Sequence, residues 1–170
     1  MIPNSLEILF LTFSDANLLT ITTSPLGFLV VLIENIDIKK FHKYSNNFSF
    51  FKNDLMSSNT LINSLNNMHD LDAIIHFAAL KNIPESEEKP SLYKKNNIVS
   101  TETILNYALY SDIKKIIFSS SAAIYGSQKK YPIKENAKPN PLSVYAETKL
   151  TCEMLIRKFS IQNNLKSISL

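Results

Sequence analysis

The chain has 170 residues, which is enough for one domain with a hydrophobic core and too few for two domains of ordinary size. Its 18 Lys and Arg residues exceed its 15 Asp and Glu residues only slightly and form no basic stripe, so the composition argues against a nucleic-acid partner. The single cysteine, Cys152, excludes an internal disulfide, and His42, His69 and His76 are too scattered to form a metal site.

The first third of the chain lacks the patterns of secreted and membrane-spanning proteins. It has no basic leader and includes Glu7 and Asp15, which argues against a signal peptide. The stretch from Leu18 to Ile33 is interrupted by Pro25 and Gly27, so it is interpreted as a poor helix followed by a strand. We therefore expect a cytoplasmic protein with no membrane partner.

Short apolar runs alternate with helical patterns along the chain, which predicts repeated βα units around a parallel sheet. Strands are predicted at 6–12, 28–33, 48–51, 72–77 and 114–120, with another beginning at the end of the chain. Helices are predicted at 57–67, 91–110 and 143–162, and a polar surface loop at 126–140. The chain ends inside an apolar strand pattern without a stop signal, which predicts a truncation.

A tyrosine and a lysine, Tyr145 and Lys149, are spaced i, i+4 in the predicted last helix and should share one helix face. An ammonium beside a phenol favours the phenolate, which could then act as a base near neutrality. Ser121, at the end of the strand in KKIIFSSS, could donate a second hydrogen bond to an alcohol that loses its proton. The three residues suit oxidation and reduction of an alcohol carbon, although a solvated helix face would also explain the Tyr–Lys spacing.

Four further features follow predicted strands, at the edge of an open parallel sheet where ligands bind. Glu34 follows FLVVLI, Asp54 follows FSFF, Ala78 and Ala79 follow DAIIHF, and the run 119–121 follows KKIIF. Each has a plain alternative, since acids also cap helices, alanines fill the core and serines form turns. Their shared position at strand ends favours a nucleotide site.

These strings resemble a known family. DAIIHFAALKNIPESEEKPSLYKKNN, KKIIFSSSAAIYG and YPIKENAKPNPLSVYAETKL are similar to the UDP-glucose 4-epimerases, which are extended short-chain dehydrogenases/reductases, and the similarity runs from about Gly27 to Leu170. The resemblance implies a Rossmann-like, doubly wound parallel sheet that binds NAD. It further implies a UDP-hexose substrate and a homodimer formed through helices 91–110 and 143–162.

The resemblance also implies a role for each matching residue. Tyr145 would take the proton from the sugar 4-hydroxyl, Ser121 would bind the same oxygen, and Lys149 would hold the nicotinamide ribose and depress the pKa of Tyr145. The remaining residues would contact or support NAD: Glu34 and Asn35 at the adenosine ribose, Asp54 and Leu55 at the adenine, Phe77, Ala78, Ala79, Leu80 and Lys81 along the dinucleotide, and Asn96 beneath the surrounding loops. The implied reaction interconverts UDP-glucose and UDP-galactose, as in galactose metabolism, by lending a hydride to NAD.

Two departures from the family leave other functions open. The chain has only two glycines and none before Gly27, so residues 1–26 are expected to be a degenerate first strand and helix without the glycine-rich turn that holds a pyrophosphate. Residues 27–170 are expected to form the NAD-binding domain, without the C-terminal substrate domain of the family. The alternatives are an inactive remnant or NAD-binding module, and another nucleotide-sugar epimerase or dehydratase.

Overall fold

A computed structural model describes residues 18–23, 28–33, 48–53, 55–56, 58–65 and 71–170. Its strands are β1 (Leu18–Thr23), β2 (Phe28–Ile33), β3 (Phe48–Asn53), β4 (Ala73–His76), β5 (Lys115–Phe118) and β6 (Lys166–Ser169). Its helices are α1 (Ser58–Leu65), α2 (Ile83–Glu88), α3 (Pro90–Tyr110) and α4 (Val144–Asn163), with a 3₁₀ turn at Ala122–Tyr125. Among these described helices, none combines the length and the apolar character needed to cross a membrane.

The described strands form one sheet in the order β3-β1-β2-β4-β5-β6. Strands β2, β4, β5 and β6 pair in parallel, with Val30 beside Ile75 and Ile75 beside Ile117. The predicted α/β fold with a parallel sheet is confirmed for these four strands. The three predicted helices are confirmed as α1, α3 and α4, whereas the short helix α2 was not predicted.

Strand β1 corrects the sequence interpretation in two ways. Its residues were interpreted as part of a poor helix, but they form a strand that pairs antiparallel with both β2 and β3. Four of its six residues are β-branched, which favours extended backbone. Only four residues separate β1 from β2, and a parallel pair needs a crossover of about a dozen or more, so this pair has to be antiparallel. The strand predicted at 6–12 lies outside the described residues.

The described hydrophobic core lies where α1, α3 and α4 pack around β4 and β5. Its most buried members are Leu61, Ile74, Ile104, Ile116 and Ile156. Because α3 and α4 also pack against each other, the first turn of α4 is held near the ends of the central strands. The polar loop predicted at 126–140 is confirmed, and a hydrogen bond from Asn140 N–H to the Ile124 carbonyl closes its neck at 2.9 Å.

Candidate active site at the ends of strands β4 and β5

Strands β4 and β5 end side by side, and the site is built on the segments that follow them. The N–H of Ser119, directly after β5, donates to the carbonyl of His76, the last residue of β4, at 3.0 Å. Both strands run in parallel, so residues 77–82 and 119–121 leave the sheet at the same edge. This is the edge at which open α/β sheets bind ligands.

Helix α4 brings Lys149 to this edge. Lys149 is 3% exposed, and its Nζ donates to the Ser119 carbonyl at 2.8 Å. The ammonium also lies 4.7 Å from the centre of the Phe118 ring, within the range of a cation–π interaction. Burial lowers the pKa of Lys149 to about 8, so most of the population still carries a proton at neutral pH.

Tyr145 lies one turn before Lys149 and is 9% exposed. The Ser121 Oγ accepts a hydrogen bond from Ala123 N–H at 3.2 Å, which leaves the Ser121 hydroxyl proton available to another partner. A hydrogen bond with Ser121 lowers the pKa of Tyr145, but burial is the larger cause and raises it above its ordinary value. The expected depression of the Tyr145 pKa is therefore wrong for this structure, because desolvation of the phenolate outweighs the stabilising contacts.

The loop after β4 is held by two side chains of α3. Asn97 Nδ2 donates to the Leu80 carbonyl at 3.0 Å, and its Oδ1 accepts from Leu80 N–H at 2.7 Å. One turn earlier, the Tyr93 hydroxyl accepts from Asn82 N–H at 3.1 Å. Asn97 Nδ2 also donates to Thr148 Oγ1 on α4 at 3.0 Å, so one amide connects the loop to the helix that carries Lys149.

A buried polar group lies behind Lys149. The His76 ring is fully buried and its Nε2 is 3.0 Å from Thr101 Oγ1, while Thr101 donates to the Asn97 carbonyl at 2.9 Å. With the Thr101 proton directed to the Asn97 carbonyl or to Cys152 Sγ at 3.2 Å, the Thr101 oxygen accepts from His76, and we assign the imidazole proton to Nε2 on this ground. Burial, aided by the charge of Lys149, lowers the pKa of His76 to about 3 and keeps the ring neutral.

Comparison with known proteins identifies the family to which the chain belongs. Residues 17–170 match the family model described as GDP-mannose 4,6 dehydratase. The chain belongs to the NAD-dependent epimerase/dehydratase family.

Individual members of the epimerase/dehydratase family are similar over most of this chain. A UDP-glucose 4-epimerase from Halalkalibacterium halodurans is 35% identical over 130 residues, which cover 76% of this chain and 38% of the relative. Among solved structures, the UDP-Glc/GlcNAc 4-epimerase from Campylobacter jejuni has a TM-score of 0.75 at 30% identity, covering 82% of this chain and 44% of its own. The UDP-glucose 4-epimerase from Brucella ovis, solved in complex with NAD, has a TM-score of 0.67 at 30% identity, with coverages of 70% and 36%. This chain thus spans less than half of each of these relatives.

The structure brings together most of the residues that the epimerase resemblance singled out. Tyr145 approaches Ser121, and Lys149 binds the carbonyl of the nearby Ser119. Residues 77–81 leave the sheet at the same edge, where Ala78 is buried in the core and Lys81 is exposed. Asn96 lies beside them and donates to Asn97 Oδ1 at 3.2 Å. Leu55 is instead part of the hydrophobic core. Glu34, Asn35 and Asp54 lie outside the described residues.

Three residues that contribute to the site were given no role by the sequence reasoning. Asn97 makes the contacts to the loop that were expected of Asn96. Ser86 and Glu87, on the unpredicted helix α2, accept hydrogen bonds from the first turn of α4. The string NN and the string ES both belonged to the family resemblance, but a sequence does not show which of two adjacent asparagines faces inward.

The described residues fit the nicotinamide side of an NAD molecule. Phe77, Ala79 and Leu80 are half-buried at the ligand edge, and the small side chain of Ala79 permits close approach of a ligand. Lys149 carries three N–H donors, of which the Ser119 carbonyl takes one, so hydroxyl groups of a ribose could accept the others. Among the described residues, no cluster of His, Cys, Asp or Glu could hold a metal ion.

Proposed function

We propose that this chain carries the acid–base and nicotinamide-binding part of a UDP-hexose 4-epimerase that interconverts UDP-glucose and UDP-galactose. The observation that carries the proposal is the approach of Ser121 to Tyr145, where it lowers the pKa of the phenol, on the helix that also carries the buried Lys149. The similarity to UDP-glucose 4-epimerases supports the choice of reaction. UDP-hexose as the substrate, galactose metabolism as the pathway and the cytoplasm as the location are part of this proposal.

In the proposed mechanism, Tyr145 exchanges a proton with the oxygen on C4 of the sugar. A tyrosine whose pKa is raised by burial is protonated at neutral pH, so it is ready to donate to a 4-keto oxygen. In the other direction Tyr145 must accept the hydroxyl proton through its phenolate form, which the Ser121 hydrogen bond favours. We propose that the positive charge of Lys149 favours the phenolate as well. NAD, when bound, would take up and return the hydride of C4.

Other residues would serve the cofactor. Lys149 would donate to the nicotinamide ribose, and Phe77, Ala78, Ala79, Leu80 and Lys81 would lie along the dinucleotide. Asn96 would support these loops through Asn97. Glu34, Asn35 and Asp54 remain the proposed contacts of the adenosine half, whereas the Leu55 side chain lies in the core.

The test is conversion of UDP-galactose by the purified chain and by two tyrosine variants. We expect Tyr145→Phe to lower kcat about 10²- to 10⁴-fold, because it removes the proton-transfer group. Tyr131→Phe is the matched control, since Tyr131 is 71% exposed in the 126–140 loop, and should leave kcat unchanged. Bound NAD is measured in the same samples from absorbance after denaturation and reduction. Turnover that survives Tyr145→Phe would refute the assignment of the base.

A second candidate is an NAD-binding module without turnover. The observation that favours it is the absence of glycine from residues 1–26, since a glycine-rich turn is the usual means of holding the pyrophosphate of NAD in a productive position. NAD bound by a chain that converts no UDP-sugar would support this candidate. Formation of a 4-keto product from another nucleotide sugar would instead support a dehydratase of the same family.

We also propose a homodimer through helices α3 and α4. Both helices carry exposed apolar side chains, including Leu92 on α3 and Met154 and Ile161 on α4. In the proposed dimer these side chains would form one apolar patch that the partner copy covers. Light scattering of the chain and of Ile161→Lys should show a dimer that the variant converts to a monomer, and a monomer for both would contradict the proposal.

A further inference from the structure

The first turn of α4, which carries Tyr145, is held by an unusual number of side-chain oxygens. A helix begins with four N–H groups that have no partner within the helix, and one capping side chain commonly serves one of them. Here three successive N–H groups each donate to a side chain: Val144 to Glu87 Oε1 at 2.7 Å, Tyr145 to Ser86 Oγ at 3.1 Å, and Ala146 to Ser143 Oγ at 3.1 Å. Ser143 is the ordinary local cap, whereas Ser86 and Glu87 come from α2, far away in the chain.

The Ser86 hydroxyl has a short bond to the Ile83 carbonyl and a longer contact, 3.5 Å, with Glu87 Oε1. Ser86 is fully buried, and its O–H donates to the Ile83 carbonyl at 2.6 Å, so the oxygen lone pairs remain for the Tyr145 N–H. A buried N–H without a partner is costly, and solvent does not reach this position. The hydrogen bond therefore ties the backbone of Tyr145 directly to α2.

Helix α2 is in turn tied to the loop after β4. Asn82 caps α2 by accepting from Glu85 N–H at 3.0 Å, and the Asn82 N–H donates to Tyr93 on α3. Tyr93 OH donates to Glu85 Oε2 at 2.8 Å. The residues 77–82 that would face a cofactor are thus joined through α2 to the backbone of Tyr145.

We propose that Ser86 and Glu87 are positioning residues that set where the Tyr145 phenol lies. They act through the backbone of the first turn of α4 and touch no reacting atom. The inference rests on the proposed function only for the role of Tyr145 as the base, since the contacts themselves are independent of activity.

The test follows ionisation of Tyr145 by NMR of the chain labelled with ¹³C at the tyrosine Cζ. The chain has 7 tyrosines, and the Tyr145 signal is assigned by its absence in Tyr145→Phe. In Ser86→Ala and Glu87→Ala we expect the pKa of Tyr145 to fall toward its ordinary value, because a displaced phenol is less buried and burial is the main cause of its raised pKa. Exchange of the Tyr145 N–H should become about tenfold faster in Ser86→Ala, as expected for one lost hydrogen bond.

Two variants separate positioning from charge and from general damage to α2. Glu87→Gln removes the charge but keeps an oxygen acceptor, so its Tyr145 titration should match that of the parent chain. Glu88→Ala changes the next residue, also exposed and on α2, and should have no effect. If Glu87→Gln shifts the titration as much as Glu87→Ala, or if folded Ser86→Ala and Glu87→Ala both titrate like the parent, the proposal is wrong.

Kinetic measurements distinguish a failure of the positioning role from a failure of the proposed function. If the parent chain turns over, Ser86→Ala and Glu87→Ala should lower kcat about 10- to 100-fold with KM nearly unchanged, as expected for a misplaced base. If the parent chain does not turn over, the proposed function fails, yet the Tyr145 titration still decides the positioning role.

Discussion

The two halves of the sheet are organised differently. Strands β4, β5 and β6 pair in parallel and are joined by helices, whereas β1 pairs antiparallel with both neighbours and lies only four residues from β2 in the chain. A doubly wound dinucleotide fold has the strand order 3-2-1-4-5-6, whereas the six strands that the structure describes have the order 3-1-2-4-5-6. The half with the parallel connections carries Ser121, Tyr145 and Lys149.

The difference has a chemical meaning because each half would meet a different part of a dinucleotide. Parallel strands deliver their carboxyl ends to one edge, and the nicotinamide side of the proposed site lies at the ends of β4 and β5. The adenosine side would lie at the ends of β2 and β3, where Ile33 and Asn53 both pair with Leu18, the first residue of β1. We therefore expect the nicotinamide side to depend on precise contacts and the adenosine side to contribute little.

The largest expected effect comes from removing the Asn97 amide, which connects the loop after β4 to helix α4. Asn97→Leu leaves the N–H and C=O of Leu80 without their partner, at roughly 1–3 kcal/mol for each unpaired group, so the free energy of unfolding should fall by about 2–6 kcal/mol. Asn96→Leu is the matched control and should cost less than about 1 kcal/mol, since Asn96 is only half-buried. Chemical denaturation measures both. Equal losses for the two variants would contradict the central place given to Asn97.

Gly126 is the next most sensitive position. It has φ 57° and ψ −143°, a region used almost only by glycine, and an added Cβ would lie 2.0 Å from the Asn140 carbonyl oxygen. We expect Gly126→Ala to reduce the free energy of unfolding by about 3 kcal/mol, because the neck of the 126–140 loop has to open. The exposed neighbour Ser127 provides the control, and Ser127→Ala should be nearly neutral in the same thermal melts. A neutral Gly126→Ala would mean that the neck is not closed in solution.

Because His76 is buried and neutral, we predict that the free energy of unfolding falls in mild acid. The pKa of His76 is about 3 in the folded chain and near 6.5 when unfolded, so the unfolded state binds the extra proton between these values and stability falls as the pH drops through that window. Between pH 7 and pH 5 this costs about 2 kcal/mol. His76→Gln keeps a donor toward Thr101 but cannot titrate, so its stability should change less over the same range. Parallel stability curves for the two proteins would refute the assignment.

Sequence reasoning predicted the parallel half well because its signals are local. Buried strands such as KKIIFSS and a capped helix around Tyr145 are specified by their own residues, and the i, i+4 spacing determines that Tyr145 and Lys149 share a face. It failed at β1, where the length of a connection determines strand direction. It also assigned the loop contact to Asn96 instead of Asn97, because packing between α3 and α4 determines which of these two residues faces inward. Helix α2 was given no role. The direction of the Tyr145 pKa shift depends on burial, which a spacing does not reveal.

The smallest expected effect is a difference in affinity between two ligands, and it tests the half of the sheet formed by β1, β2 and β3. Nicotinamide mononucleotide carries the nicotinamide side of NAD without the adenosine monophosphate, so comparing the two ligands isolates what the β1–β3 half contributes. We expect NAD to bind the chain no more than about tenfold tighter than nicotinamide mononucleotide, or about 1.4 kcal/mol. The reason is that no glycine precedes Gly27, so backbone N–H groups have no glycine-rich turn with which to approach the pyrophosphate. Calorimetry measures both affinities.

Two variants show which residues cause the difference in affinity between NAD and nicotinamide mononucleotide. Glu34→Ala removes the proposed ribose contact and should weaken NAD by about threefold or less without affecting nicotinamide mononucleotide, since a hydrogen bond to an exposed ribose has a small net value. Lys149→Met should weaken both ligands to the same degree, because both contain the nicotinamide ribose that Lys149 is proposed to hold. A hundredfold preference for NAD that Glu34→Ala abolishes would show that the β1–β3 half binds adenosine as well as the parallel half binds nicotinamide. In that case the antiparallel direction of β1 would not weaken binding of the adenosine side, contrary to our expectation.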